Sequence, residues 1–216
     1  MDLSLLIYAI PALLIAISLH EVMHSVVGYW LGDDTAKMMG RITFNPLHHI
    51  DPITTIGLPI LLVLLGYPPF AAAKPVPVNF ARLKYEEFGM ALVGIAGPLT
   101  NLFLAIIFAV ILKFYDPFTF SLIDEFRLVS GLSVANFLAY NIWINVGLFV
   151  FNMIPFPPLD GSRVLYAFVP EFIQRGMERI EQFGFTAILL FMFIAFPVIR
   201  PLIIQINAML LGFIAG

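Results

Sequence analysis

The sequence predicts an all-α polytopic membrane protein: a helical bundle of about four to six transmembrane helices, with one re-entrant or shallow segment and a short extended segment. Three observations predict it. Of 216 residues, 61% are hydrophobic and 12% charged, about half the ~25% charge of a soluble domain. Mean hydropathy is +0.97. The apolar residues also fall into runs that reach or exceed the ~20 residues a bilayer-crossing helix needs. A net charge of −3 without a basic block argues against a nucleic-acid partner, and the absence of cysteine removes disulfides and thiolate zinc sites. The whole chain, 1–216, reads as one membrane-embedded domain, with a core over about 3–170 and a C-terminal transmembrane region over 183–216.

The first apolar run, Leu3 to about Leu31, is long enough to cross with tilt and ends at Gly32-Asp33-Asp34. It starts without a basic flank or a small-residue cleavage site, so it reads as a retained span. A polar, turn-rich stretch follows through Arg41, Asn45-Pro46, His48-His49 and Asp51-Pro52. Ile53 to Gly66 is apolar but would reach only about 21 Å as a helix, short of a ~30 Å hydrocarbon core. Pro75 and Pro77 keep Lys74–Phe80 out of a helix and make it extended. Phe88 to about Phe114 and about Leu132 to Ile154 are full spans. Asp160-Gly161 opens a short helix, Glu171 to Glu181 has the charge spacing of an interfacial amphipathic helix, and Phe183 to Gly216 is one kinked span or two short ones.

His20-Glu21-Val22-Met23-His24 is the pattern H-E-x-x-H. Positions i and i+4 share a helix face, so both imidazoles reach one ion, and the glutamate between them lies where it can take a proton from metal-activated water. Ionisable groups this deep in a span need partners, and a metal is the natural one. A third protein ligand is missing. The metzincin continuation fails, because Val27 and Trp30 stand where glycine and histidine would be. Among the acids, Asp160 stands apart: it sits in a proline-broken stretch at the end of a span, where irregular backbone lines a cavity or is packed in protein. Its bland alternative is a helix N-cap.

These residues carry a resemblance. The chain resembles the site-2 proteases, the intramembrane zinc metalloproteases. The match is His20-Glu21-x-x-His24 in one span, with Asn152-x-x-Pro155-x-x-Pro158-Leu159-Asp160-Gly161 after a later one. Gly97-Pro98-x-x-Asn101, Gly40-Arg41 through Asp51-Pro52, and Lys74 through Asn79 also fit, so the likeness covers about residues 5–170. It looks most like the minimal branch without PDZ or CBS domain. The resemblance implies Zn²⁺ held by His20, His24 and Asp160, Glu21 as general base, and Asn152 steadying substrate or oxyanion. It also implies transmembrane protein substrates. For Asn152 an equal alternative is interhelical hydrogen bonding, in one polar stripe with Asn141 and Asn145.

Order along the chain adds a demand. His24 and Asp160 share an ion only if their spans exit on one side, so Phe88–Phe114 must be the sole crossing between them and Ile53–Gly66 must be shallow or re-entrant. Lys37, Arg41, Lys74, Arg82, Lys84, Arg163, Arg175 and Arg179 then fall on one side, Lys113 and Arg127 on the other, with Arg200 unplaced. The positive-inside rule puts the site toward the cytoplasm, and the expected setting is the cell membrane of a prokaryote. Gly89, Gly94 and Gly97 read as a close-packing surface, and His48, His49 and Asp51 as a solvated turn, with a second metal or a gate as the sharper option. Two rivals remain: a zinc or proton transporter, and a non-catalytic scaffold for client helices.

Overall fold

A computed structural model describes residues 5–64, 71–122 and 133–215. Four helices are long and apolar enough to span a bilayer: α1 (Leu5–Trp30), α4 (Glu86–Tyr115), α6 (Val134–Asn152) and α9 (Phe185–Ala215). Between them lie α2 (Thr35–Met38), α3 (Leu58–Leu64), α5 (Pro117–Leu122), α7 (Asp160–Tyr166) and α8 (Glu171–Glu181). No strand occurs among the described residues. The chain is an integral membrane protein of all-α class.

Each span ends where local chemistry stops it. Gly32 takes φ +107°, and its amide and that of Asp33 return to the carbonyls of Tyr29 and Gly28. This double return closes α1 with the left-handed glycine cap that only a residue lacking Cβ enters freely. Ser133 opens α6 by accepting the Asn136 amide at 3.0 Å, an N-cap that satisfies one orphan donor.

Two contacts fix the order of crossings. The Tyr8 hydroxyl near the start of α1 accepts the Ser133 amide at the start of α6. Lys113, late in α4, donates to the last carbonyls of α9, those of Ile214 and Ala215. These four helix ends therefore share one end of the bundle. The other end holds the exits of α1 and α6 and the starts of α4 and α9, with α7 and α8. Arg163 of α7 pairs with Glu181, and Tyr166 with Glu178 of α8.

α4 packs between α1 and α6. Lipid removes most of the hydrophobic drive between helices, so close approach matters more. Small residues supply it: Ala9, Ala12 and Ala16 on α1, Ala105 and Ala109 on α4, and Ala135 and Ala139 on α6 are buried. α9 is one continuous helix through Pro197 and Pro201, which settles the C-terminal region as a single span. It lays one face, with Met192, Ile199 and Leu211, on the bundle.

The short apolar stretch is a π-helical turn, Pro52–Gly57, followed by α3, and Leu65 and Gly66 lie outside the described residues. At about 20 Å this helix is too short to cross. The extended segment runs over 71–79 and not to Phe80, which starts a 3₁₀ turn, Phe80–Arg82, capped by the Asn79 side chain.

Candidate metal centre

His20 and His24 lie one turn apart on α1, both buried. The outer nitrogens of their rings are fully engaged. His24 Nδ1 donates to the Val93 carbonyl of α4 at 2.7 Å, and His20 Nδ1 lies 2.6 Å from Asn101 Oδ1, also on α4. The Asn101 amide nitrogen donates to the Ala16 carbonyl and to Asn145 Oδ1, so its oxygen faces the histidine and accepts. Both rings then carry hydrogen on Nδ1 and a lone pair on Nε2.

Those lone pairs converge. The two Nε2 atoms are 3.0 Å apart, and Asp160 Oδ2 lies 3.0 Å from one and 3.3 Å from the other. Three acceptors this close repel unless a proton or a metal ion sits among them. They are the single metal-competent cluster among the described residues, with ligand atoms within 4.8 Å of one another. Two imidazoles and a carboxylate, with room for a fourth ligand, make a donor set suited to catalytic zinc.

Asp160 is the first residue of α7; Leu159 occupies the cap position, so the N-cap alternative does not describe its side chain. Two glycines bring it in. A Cβ on Gly161 would meet the Met153 carbonyl at 2.4 Å, and one on Gly94 would meet Arg163 Cβ at 2.7 Å and the Asp160 carbonyl at 3.0 Å. α7 thus folds back against the end of α6 and against α4 only because both positions lack side chains.

Gly97 is closer still. A Cβ there would stand 2.4 Å from His24 Nε2 and 2.5 Å from His20 Nε2, over the seat of the ion. The sequence reading of these glycines as packing alone is therefore incomplete. Asn101 is the other residue whose part at the site sequence reasoning missed. Its signal was an amide inside an otherwise apolar span, a group that must find partners.

Glu21 is half-buried on the wall of a cavity of about 700 Å³. One carboxylate oxygen, Oε2, accepts the Val76 amide at 3.1 Å. Asn152 lines the same cavity, but its amide nitrogen donates to Leu148 of its own helix at 3.0 Å. It stands outside the chain formed by Asn101, Asn145 and Asn141, so the expected stripe holds for Asn141 and Asn145 only. His48 is exposed; His49 is buried, against the solvated-turn reading, with Nε2 on the Thr43 carbonyl. Asp51 accepts the amides of Ile53 and Thr54, and these three residues form no metal cluster.

The family model described as "Peptidase family M50" matches residues 8–195. Among curated proteins, the chain is 38% identical over 187 residues to "Putative zinc metalloprotease YwhC" of Bacillus subtilis, covering 87% of this chain and 80% of that one. It is 30% identical over 186 residues to "Putative zinc metalloprotease Rip2" of Mycolicibacterium smegmatis, covering 84% and 65%. With "Putative zinc metalloprotease MJ0611" of Methanocaldococcus jannaschii it shares 32% over 108 residues, about half of each chain. No solved structure matches. With donors arranged for zinc in the region matched, the chain is a zinc metallopeptidase belonging to peptidase family M50, the site-2 protease family.

Proposed function

We propose that this protein hydrolyses peptide bonds of membrane-spanning or membrane-associated proteins, working from the cytoplasmic side of a prokaryotic cell membrane. One observation carries the proposal: three converging ligand atoms and the Glu21 carboxylate share one cavity below the end of a span. His24 precedes the end of α1 by six residues, about 9 Å along the axis. The excess of Lys and Arg at the α7–α8 end supports the cytoplasmic orientation.

His20, His24 and Asp160 would hold zinc, with Asn101 and the Val93 carbonyl fixing both rings. Zinc bound there supplies a Lewis acid and makes water acidic enough to ionise near neutral pH. Glu21 takes a proton from water and returns it to the leaving amine. Its position is set by the Val76 amide, so the extended segment bears on the base. Asn152 lines the same cavity, where its side-chain oxygen could accept from a substrate amide. A substrate helix hides its carbonyls in its own hydrogen bonds and must unwind to expose one.

The extended segment is a poor template for pairing with that unwound strand. Its Lys74, Val76 and Asn79 amides already serve the His49 carbonyl, Glu21 and Asp33, and Pro75 and Pro77 have none to give. A rigid strap across the cavity describes it better.

The test is hydrolysis of a panel of membrane-spanning substrates by the purified protein, with a chelator and Glu21→Gln as controls. Cleavage should vanish in both, while Glu21→Gln keeps its zinc. Metal transport into vesicles that survives Glu21→Gln would favour the transporter, and unchanged client binding with no cleavage of any substrate would favour the scaffold.

A further inference from the structure

α9 exposes a cation to lipid. Its apolar window is 11% buried, and residues such as Ile194 and Val198 are 70% and 78% exposed. Arg200 lies on this outward face, close to the middle of the helix. Ile214, which meets Lys113, marks one end of the bundle, and Arg200 lies fourteen residues, about 21 Å, inside it, within the ~30 Å hydrocarbon core. Among the described residues, neither Arg200 nor exposed Gln205 has a hydrogen-bond or ion-pair partner.

The surroundings suit a helix. At 100° per residue, Arg200 and Gln205 flank an exposed sector that holds Pro197, Pro201, Ala208 and Gly212 together with Ile204. A Cβ on Gly212 would meet nothing within 4 Å. Small residues on a lipid-facing surface let a second backbone approach closely.

We propose that this face docks a membrane-spanning helix of another protein that carries an Asp or Glu within the hydrocarbon core, at the depth of Arg200. Charge complementarity selects the occupant. Two-fold pairing with a second copy would set two Arg200 guanidinium groups at one depth, and α9 has no carboxylate to answer them. The face is also separate from the hydrolytic site: on α9 only Ile188 reaches the cavity, and Arg200 is about 18 Å further along the axis. Docking therefore does not depend on the protease reading.

The chain has no cysteine, so Phe213→Cys provides one dye position in the full-length protein. Energy transfer to polyleucine host helices is read in phosphatidylcholine vesicles, each host bearing a central Glu, Gln or Leu. The Glu host should bind on the order of tenfold more tightly than the Leu host. Arg200→Leu should abolish that difference, and Arg200→Lys should retain part of it. Equal binding of all hosts, or a Glu preference that survives Arg200→Leu, would overturn the proposal. So would transfer between copies of the chain that is lost in Arg200→Leu, which would give the face to a second copy.

Discussion

Two imidazole nitrogens held 3.0 Å apart beside a carboxylate make a seat for a metal ion, and two residues without chemistry of their own keep them there. Gly97 leaves the space. In Gly97→Ala the added methyl would overlap both Nε2 atoms, so zinc content of the purified protein should fall to near zero while helix content stays. Asn101 keeps the His20 ring turned. Asn101→Leu should weaken zinc about 10–100-fold in a chelator competition, and Asn101→Asp, which keeps the acceptor for His20 but loses the donor to Ala16 and Asn145, should restore part of it. Equal losses in both variants would show that Asn101 matters only for packing. The meeting of His20, His24 and Asp160 was legible because the two histidines are marked by residue type and spacing, and the aspartate by its place in a proline-broken stretch at the end of a span. Asn101 and Gly97 take their meaning from neighbours 81 and 77 positions away (His20 in both cases), which no local pattern displays.

At the scale of elements, the strap over the cavity hangs from groups distant in sequence. Arg41, nearly buried, donates to the Lys74 and Pro75 carbonyls, and Asp33 accepts the Asn79 amide at 2.7 Å. Burial alone would raise the Asp33 carboxyl, but the Thr35 hydroxyl, the amides of Asn79 and Thr35, and nearby Arg82 hold it below the usual carboxylate range. A carboxyl depressed on folding contributes stability above its unfolded pKa of about 3.9, and loses it as pH falls through the lower folded value. The difference in melting temperature between wild type and Asp33→Asn should therefore be constant near neutrality and shrink below about pH 4. A gap that persists into stronger acid would remove the carboxylate from this role. Sequence showed that 74–79 is no helix, because two prolines forbid it. It could not show that the segment's amides face inward, since Glu21, Asp33 and His49 lie elsewhere in the chain. The span limits were legible to within a few residues, because length and hydropathy dominate them.

The order of crossings decides whether the metal centre is possible at all. α1 must leave the bilayer where α6 does, with α4 returning the chain once between them. The short helix Pro52–Leu64 must not add a crossing. This was argued from sequence parity, and the shared end of Tyr8 and Ser133 agrees with it. The remaining question is which leaflet each end meets, and a chain without cysteine allows a direct answer. Ala81→Cys, Ser121→Cys and Arg175→Cys place single thiols at exposed positions before α4, after it, and on α8. In sealed vesicles of known orientation, an impermeant maleimide should label Ala81→Cys and Arg175→Cys from the cytoplasmic face and Ser121→Cys from the other. With Pro52–Leu64 too short to cross, labelling of Ala81→Cys and Arg175→Cys from opposite faces would put an odd number of crossings between His24 and Asp160. One ion could not then bind both. Labelling of all three from a single face would deny that α4 crosses, although its thirty residues can hide their backbone groups from lipid only by forming a spanning helix or packing inside protein.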